Sequence, residues 1–176
     1  MEKSLKGLNL IIASIFVSVL TMFVVQNRFS EWKEIRTSQG LSADVVEKNL
    51  TCLAINIYKE AGYEPFEGKV AVAQVTLNRT RHHAFPSEIC DVVYQKNKFT
   101  GKVVCQFSWY CDSVHRNRPV NKEMYDESYR VAKLVYLEGF KLESLEGAIY
   151  YHADYISPNW RKPKITKIGQ HIFYRG

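Results

Sequence analysis

No run of lysine and arginine dense enough to mark a nucleic-acid footprint occurs in this 176-residue chain, although its formal charge is +6. Setting aside residues 1–26, which hold Lys3, Lys6 and Glu2, leaves 22 basic against 17 acidic residues, or +5. That surplus suits polyanionic surroundings in general, such as anionic lipid or an acidic polymer, and nucleic acid is not expected as a partner. Internal repeats and low-complexity tracts are also absent. Cysteine is scarce. Cys105, Cys111 and His115 lack a convincing fourth ligand and the paired spacing of a zinc site, so no metal or other cofactor is expected. The four cysteines (Cys52, Cys90, Cys105 and Cys111) form an even set. They fit disulfides outside the cytosol, in any of three pairings, or buried free thiols. Cys105 and Cys111 enclose a short loop containing Trp109 and Tyr110 and are placed to act as a local staple.

What is present argues for a real core: 46% hydrophobic and 13% aromatic residues exclude a disordered chain. The length allows one compact domain plus a short appendage, expected as a monomer. The appendage has a physical address. Leu8 to Val25 carries no charge and only Asn9, Ser14, Ser18 and Thr21 as polar interruptions. As a helix it would span about 27 Å, close to a bilayer's hydrocarbon thickness. A buried core helix would show a polar face, and a cleaved signal peptide would end in small residues where Met22–Asn27 is bulky. The segment therefore reads as an uncleaved N-terminal transmembrane helix, a signal anchor holding the chain in the membrane through residues 8–25. Lys3 and Lys6 precede it while Arg28, Lys33 and Arg36 follow, so counting positive charges gives no orientation. The expected layout is an anchor over 1–26, a linker over 27–41 and a globular domain over 42–176.

Within that domain, Ser42 is placed to cap a helix running to about Lys59, with Asp44 in its first turn. The Glu64-Pro65 step breaks it. Gly68 to Arg81 is rich in small and β-branched residues, and its length favours a buried helix over a strand. His82 to Thr100 reads as loop and short elements, and Gly101 to Pro119 holds an aromatic patch. Asn121 can cap a helix with a face of Met124, Ser128, Val131 and Val135, stopped by Gly139. Gly147–His152 and Ile165–Tyr174 are aromatic, β-prone runs around the turn residues Ser157-Pro158-Asn159 and Gly169. Helices first and a small antiparallel sheet last make an α+β domain, mainly helical.

Glu60 stands out in this pattern. Val46, Leu50, Leu53 and Ile57 recur at helical spacing, and Glu60 falls next on the same apolar stripe. A carboxyl group there loses hydration, which disfavours its charged form and raises its pKa. An acid that keeps its proton near neutral pH can donate it to a leaving oxygen. The plainer alternative is a side chain that frays outward at the last turn.

The run Tyr58-Lys-Glu-Ala-Gly-Tyr-Glu-Pro-Phe-Glu-Gly-Lys-Val-Ala-Val-Ala-Gln-Val-Thr-Leu-Asn-Arg79 resembles the opening of the SleB/CwlJ-type cell wall hydrolase domain. The likeness continues through Phe85-Pro86, Val92–Gln95, Phe99 and Gln106–Trp109. It ends with Gly147–His152, Trp160 and Ile168–Tyr174, so it covers nearly everything after the linker in the family's order. One departure stands out: Gly62-Tyr63 replaces the Arg-Gly usual between the two glutamates, while both glutamates remain.

The resemblance implies a lysozyme-like fold and cleavage of peptidoglycan glycan strands between muramic acid and glucosamine. It implies the reaction of a lytic transglycosylase, with Glu60 as the single catalytic acid. Glu64, Ser108, Trp109, Tyr151 and His152 are then candidate substrate contacts. Each has a plainer reading: Glu64 as a solvated loop charge, the Ser108–Tyr110 cluster as ordinary core, His152 as a satisfied structural histidine. An outward-facing domain on a single-span anchor, on the periplasmic or other extracytoplasmic side, would suit a phage endolysin or a bacterial wall-remodelling factor. The alternatives are an N-acetylmuramoyl amidase and a catalytically inactive, membrane-tethered wall-binding module.

Overall fold

A computed structural model describes residues 14–27, 41–99 and 101–176, and the chain divides into two units, Met1–Ala43 and Asp44–Gly176. In the first unit, residues 14–27 are helical (α1). Its polar side chains fold back on the helix: Ser18 Oγ donates to Ser14 O and Thr21 Oγ1 to Ser18 O, both at 2.9 Å. Meanwhile Phe16, Met22, Phe23 and Val25 are exposed. Residues 8–13 of the expected membrane span and 28–40 of the expected linker lie outside the described residues. Among those described, no helix is long and apolar enough to cross a membrane.

The second unit is built on two helices, α2 (Ala43–Ala61) and α3 (Phe66–Thr80), separated by the expected proline break. Leu50, Leu53 and Ile57 on α2 are buried, as the stripe requires. Helix α3 is buried almost along its length, because Val70, Ala71, Val72, Ala73 and Val75 leave no polar face to show water. One short helix and a hairpin follow, in the order α4 (Ile89–Val93), β1 (Lys96–Phe99) and β2 (Lys102–Cys105). The hairpin replaces part of what reads as loop in the sequence. Its strands alternate poorly, with Lys102, Val103 and Val104 all exposed, so no period-two signal marks them.

Helices α5 (Ser108–Cys111) and α6 (Ser113–Asn117) lead to α7 (Lys122–Tyr136). Asn121 caps α7 by accepting from Met124 N at 3.1 Å, and Ser128, Val131 and Val135 face inward. The tail forms a three-stranded antiparallel sheet in the order β3-β5-β4, from β3 (Ala148–Ala153), β4 (Lys164–Ile168) and β5 (His171–Arg175). Phe173 at its centre is fully buried against Ala71 and Val75 of α3. The domain is thus helix-rich with small antiparallel sheets.

Two disulfides tie the helical layer, Cys52–Cys90 between α2 and α4 and Cys105–Cys111 across the aromatic loop. One of the three possible pairings is realised, and Cys105 and Cys111 are bonded to one another rather than left to a metal. A polar chain threads the same core. Trp109 Nε1 donates to Asn56 Oδ1 at 3.0 Å, Asn56 Nδ2 to Thr76 Oγ1 at 3.2 Å, and Thr76 Oγ1 to Val72 O at 2.9 Å. Since all three residues are buried, loss of any partner would strand a polar group.

Cys52 and Cys90 are 38 residues apart, so their cross-link removes substantial freedom from the unfolded chain. Replacing both by alanine should cost about 4 kcal/mol of unfolding free energy, read from urea denaturation.

Candidate active site

The last turn of α2 carries Glu60, half-buried, to the place where the helices meet the sheet. From β3, the Tyr151 hydroxyl donates to Glu60 Oε2 at 2.9 Å. From α3, the buried Arg79 donates through Nε to Ile149 O at 2.9 Å. Its guanidinium lies among three rings, 4.9 Å from the centroid of Phe107, 5.3 Å from Phe85 and 5.8 Å from Tyr151. His171 on β5 is buried and meets the Tyr151 ring edge-on at 5.1 Å. Glu60, Tyr151, Arg79 and His171 form one cluster drawn from four elements.

Burial dominates the electrostatics. Loss of hydration pushes the Glu60 carboxyl above its ordinary range, against the opposing pull of the Tyr151 hydrogen bond and the Arg79 charge. Burial and the neighbouring Glu60 hold the Tyr151 phenol well above its usual value, so it stays a donor. Burial pushes His171 down, against the opposing pull of Glu64 and Asp154, which favours a neutral imidazole. The cluster therefore contains one acid that keeps its proton longer than usual, and one donor aimed at it.

Glu60 also sits where two cavities meet. One, about 1290 Å³, is lined by Arg79, Ser108, Trp109, Tyr151 and His152 as well as Glu60. The other, about 280 Å³, is lined by Tyr58, Tyr63, Glu64 and Gln170 in addition. Two further carboxylates line these spaces, and both are committed to backbone. Glu64 Oε2 accepts from Gln170 N at 3.0 Å, pinning the β4–β5 turn. Gly169 in that turn has φ +56°, and an added Cβ would overlap the Glu64 carboxylate. Asp112 Oδ1 caps α6 by accepting from Val114 N and His115 N, and its Oδ2 is 2.7 Å from His115 Nδ1.

Each residue expected to touch substrate lines one cavity or the other, in different ways. Tyr151 contacts the acid directly. Ser108 is exposed at the start of α5. Trp109 is only 6% exposed, with its indole N–H given to Asn56, so it forms wall rather than an open platform. Both ring nitrogens of His152 are engaged, Nδ1 with Ala153 O and Nε2 with Tyr174 Oη, each at 2.8 Å. Glu64 supports the turn beside the acid. The Gly62-Tyr63 departure leaves Tyr63 94% exposed on the lip of the smaller cavity.

Arg79 and His171 are additions. The neighbouring Asn78 ties α3 to the start of β3, donating to Leu145 O at 3.2 Å and Ala148 O at 2.9 Å. Arg79 instead enters the cage of Phe85, Phe107 and Tyr151, from which its charge acts on Glu60. For His171 a signal exists: it shares the inward face of its strand with Phe173, two residues on, where an ionisable group is unusual.

The family described as Cell Wall Hydrolase matches residues 63–174. Glu60 lies just before that match and Glu64 inside it. The spore cortex-lytic enzyme of Bacillus subtilis (strain 168) is 32% identical over 143 residues, which are 80% of this chain and 42% of that enzyme. The chain thus spans less than half the length of this curated relative. Among solved structures, the catalytic domain of the Bacillus cereus SleB protein superposes with a TM-score of 0.53 at 26% identity, covering 73% of this chain and 91% of that one. The catalytic domain of the germination-specific lytic transglycosylase SleB from Bacillus anthracis gives 0.52 at 26% identity, with 77% and 98% covered.

If Glu60 serves as an acid, Tyr151→Phe should slow glycan cleavage by about 10- to 100-fold, the worth of a hydrogen bond to a charged group. Because that bond lowers the Glu60 pKa, its loss should also move the alkaline limb of the pH–rate profile upward. An unshifted limb would show that Tyr151 does not act on Glu60.

Proposed function

This chain belongs to the Cell Wall Hydrolase family, and we propose that it cleaves the glycan strand of peptidoglycan between muramic acid and glucosamine, as a lytic transglycosylase using Glu60 alone as acid and base. The observation that carries this reading is the state of the three carboxylates lining the two cavities. Glu64 and Asp112 hold backbone, while burial raises the Glu60 pKa and the hydrogen bonds from His115 lower that of Asp112. Most glycosidases that use water rely on a second carboxylate as base or nucleophile. A transglycosylase does not, because the muramic acid residue supplies its own attacking groups.

In the proposed cycle, protonated Glu60 gives its proton to the bridging oxygen as the glycosidic bond breaks. The sugar's acetamido oxygen supports the positive charge developing at C1. The C6 hydroxyl then attacks C1, and the carboxylate of Glu60 takes that hydroxyl's proton, closing a 1,6-anhydro ring and restoring the starting enzyme. Tyr151 and Arg79 favour the carboxylate between the two proton transfers, while burial favours the acid before and after them. Acid–base help of this kind contributes about 10²–10⁴ in rate, the remainder coming from positioning and electrostatics.

The proposal places the domain on the extracytoplasmic side of a membrane, tethered by residues 8–25. Two disulfides support an oxidising compartment. The apolar, internally satisfied surface of α1 supports lipid contact.

Glu60→Gln should lower product release from purified sacculi by at least about 10²-fold with the fold retained. Mass spectrometry of wild-type products should show anhydro-muramic ends. Reducing muramic ends would replace the transglycosylase with a hydrolase, and freed stem peptides would replace it with an amidase.

A further inference from the structure

We propose that Trp160 is a sugar-stacking subsite that takes the apolar face of one N-acetylhexosamine ring of the glycan strand. The inference rests on the glycan-strand reading above and adds a contact to it. Trp160 lies between β3 and β4 and is 41% exposed, in the same segment as Tyr155 at 81% and Ile156 at 48%. All three line the larger cavity that also holds Glu60. Large apolar side chains gathered in water on the lip of a cleft mark a place where something binds.

The ring is exposed but not loose. Edge-on contacts fix it from three sides: Tyr150 at 6.0 Å, His152 at 5.5 Å and Tyr174 at 5.9 Å between centroids. His152 is itself fixed, stacked on Tyr174 at 5.3 Å with both nitrogens bonded. Its role here is to brace Trp160, since it has no ring nitrogen left for a hydroxyl. A ring held this way loses little freedom when a ligand arrives. The C–H face of a pyranose matches a flat apolar surface, and its equatorial hydroxyls stay at the rim with water. Trp109, the other described tryptophan, offers no comparable face.

Topology says how acid and platform are joined. Tyr151, which holds Glu60, and His152, which braces Trp160, are successive residues of β3, and successive strand side chains point to opposite faces. Strand β3 is at the edge of its sheet. The larger cavity includes Tyr150, Tyr151 and His152, so it wraps that free edge. A glycan laid across β3 would meet the acid on one side and Trp160 on the other.

The test uses the full chain carrying Glu60→Gln, with soluble glycan oligomers released from peptidoglycan as the probe. Titration should change tryptophan emission, and Trp160→Phe should remove most of that change. Trp160→Ala should weaken binding about tenfold, in the range of a lost stacking contact, while Trp160→Tyr should stay within about threefold of the parent. In the Glu60-intact chain, Trp160→Ala should raise KM about tenfold, with a smaller change in kcat. Binding by Trp160→Ala equal to the parent, or a tyrosine variant as weak as the alanine one, would overturn the subsite. Cleavage abolished by Glu60→Gln but untouched in Trp160→Ala would refute the subsite and leave the catalytic reading standing. Trp160-dependent binding without any glycan cleavage by the intact chain would do the reverse.

Discussion

The hydrogen bond from the Tyr151 hydroxyl to Glu60 Oε2 joins the two halves of the domain's chemistry. Glu60 comes from the helical layer and Tyr151 from the sheet, so the bond exists only when α2, α3 and β3 are packed together. The constraint runs both ways. Burial deep enough to keep the proton on Glu60 would make its carboxylate prohibitively costly unless something stabilised the charge. Tyr151 and the ring-caged Arg79 supply that stabilisation from opposite elements. Burial and these two partners thus pull the Glu60 carboxyl in opposite directions, which suits the acid-then-base role proposed for it.

Holding that balance explains features that look purely structural. Glu64 fixes the β4–β5 turn, which presents His171 to Tyr151. The Asn56–Thr76–Trp109 chain and the Cys52–Cys90 link lock α2 against α3 and its neighbours. Rigid placement matters because a loss of about 1 Å in the position of a catalytic group can cost a hundredfold in rate.

Much of this was legible in the sequence where local rules govern. The stripe Val46-Leu50-Leu53-Ile57 located Glu60 on the inward face. Pro65 marked the break after α2, Asn121 the start of α7, and aromatic runs around Gly169 the final strands. The resemblance to SleB-type domains added the chemistry. What stayed hidden depends on side-chain direction across long sequence separations. Nothing local says that Trp109 gives its N–H to Asn56 and turns inward, or that both nitrogens of His152 are taken. Arg79 follows Asn78 in a helix that is buried all round, so its partner could not be read from periodicity. The hairpin β1–β2 lacks alternation because its residues are mostly exposed, and the sequence pattern that would reveal it is missing.

Where Glu60 titrates decides whether the site holds an acid. Carbon-13 NMR of the glutamate side-chain carboxyls in the full chain, assigned by comparison with Glu60→Gln, measures it directly. A midpoint above the ordinary glutamate range is expected in the free protein. A midpoint at the ordinary value, for a carboxyl still bonded to Tyr151, would mean that burial does not hold the proton, and the acid–base mechanism would have no acid.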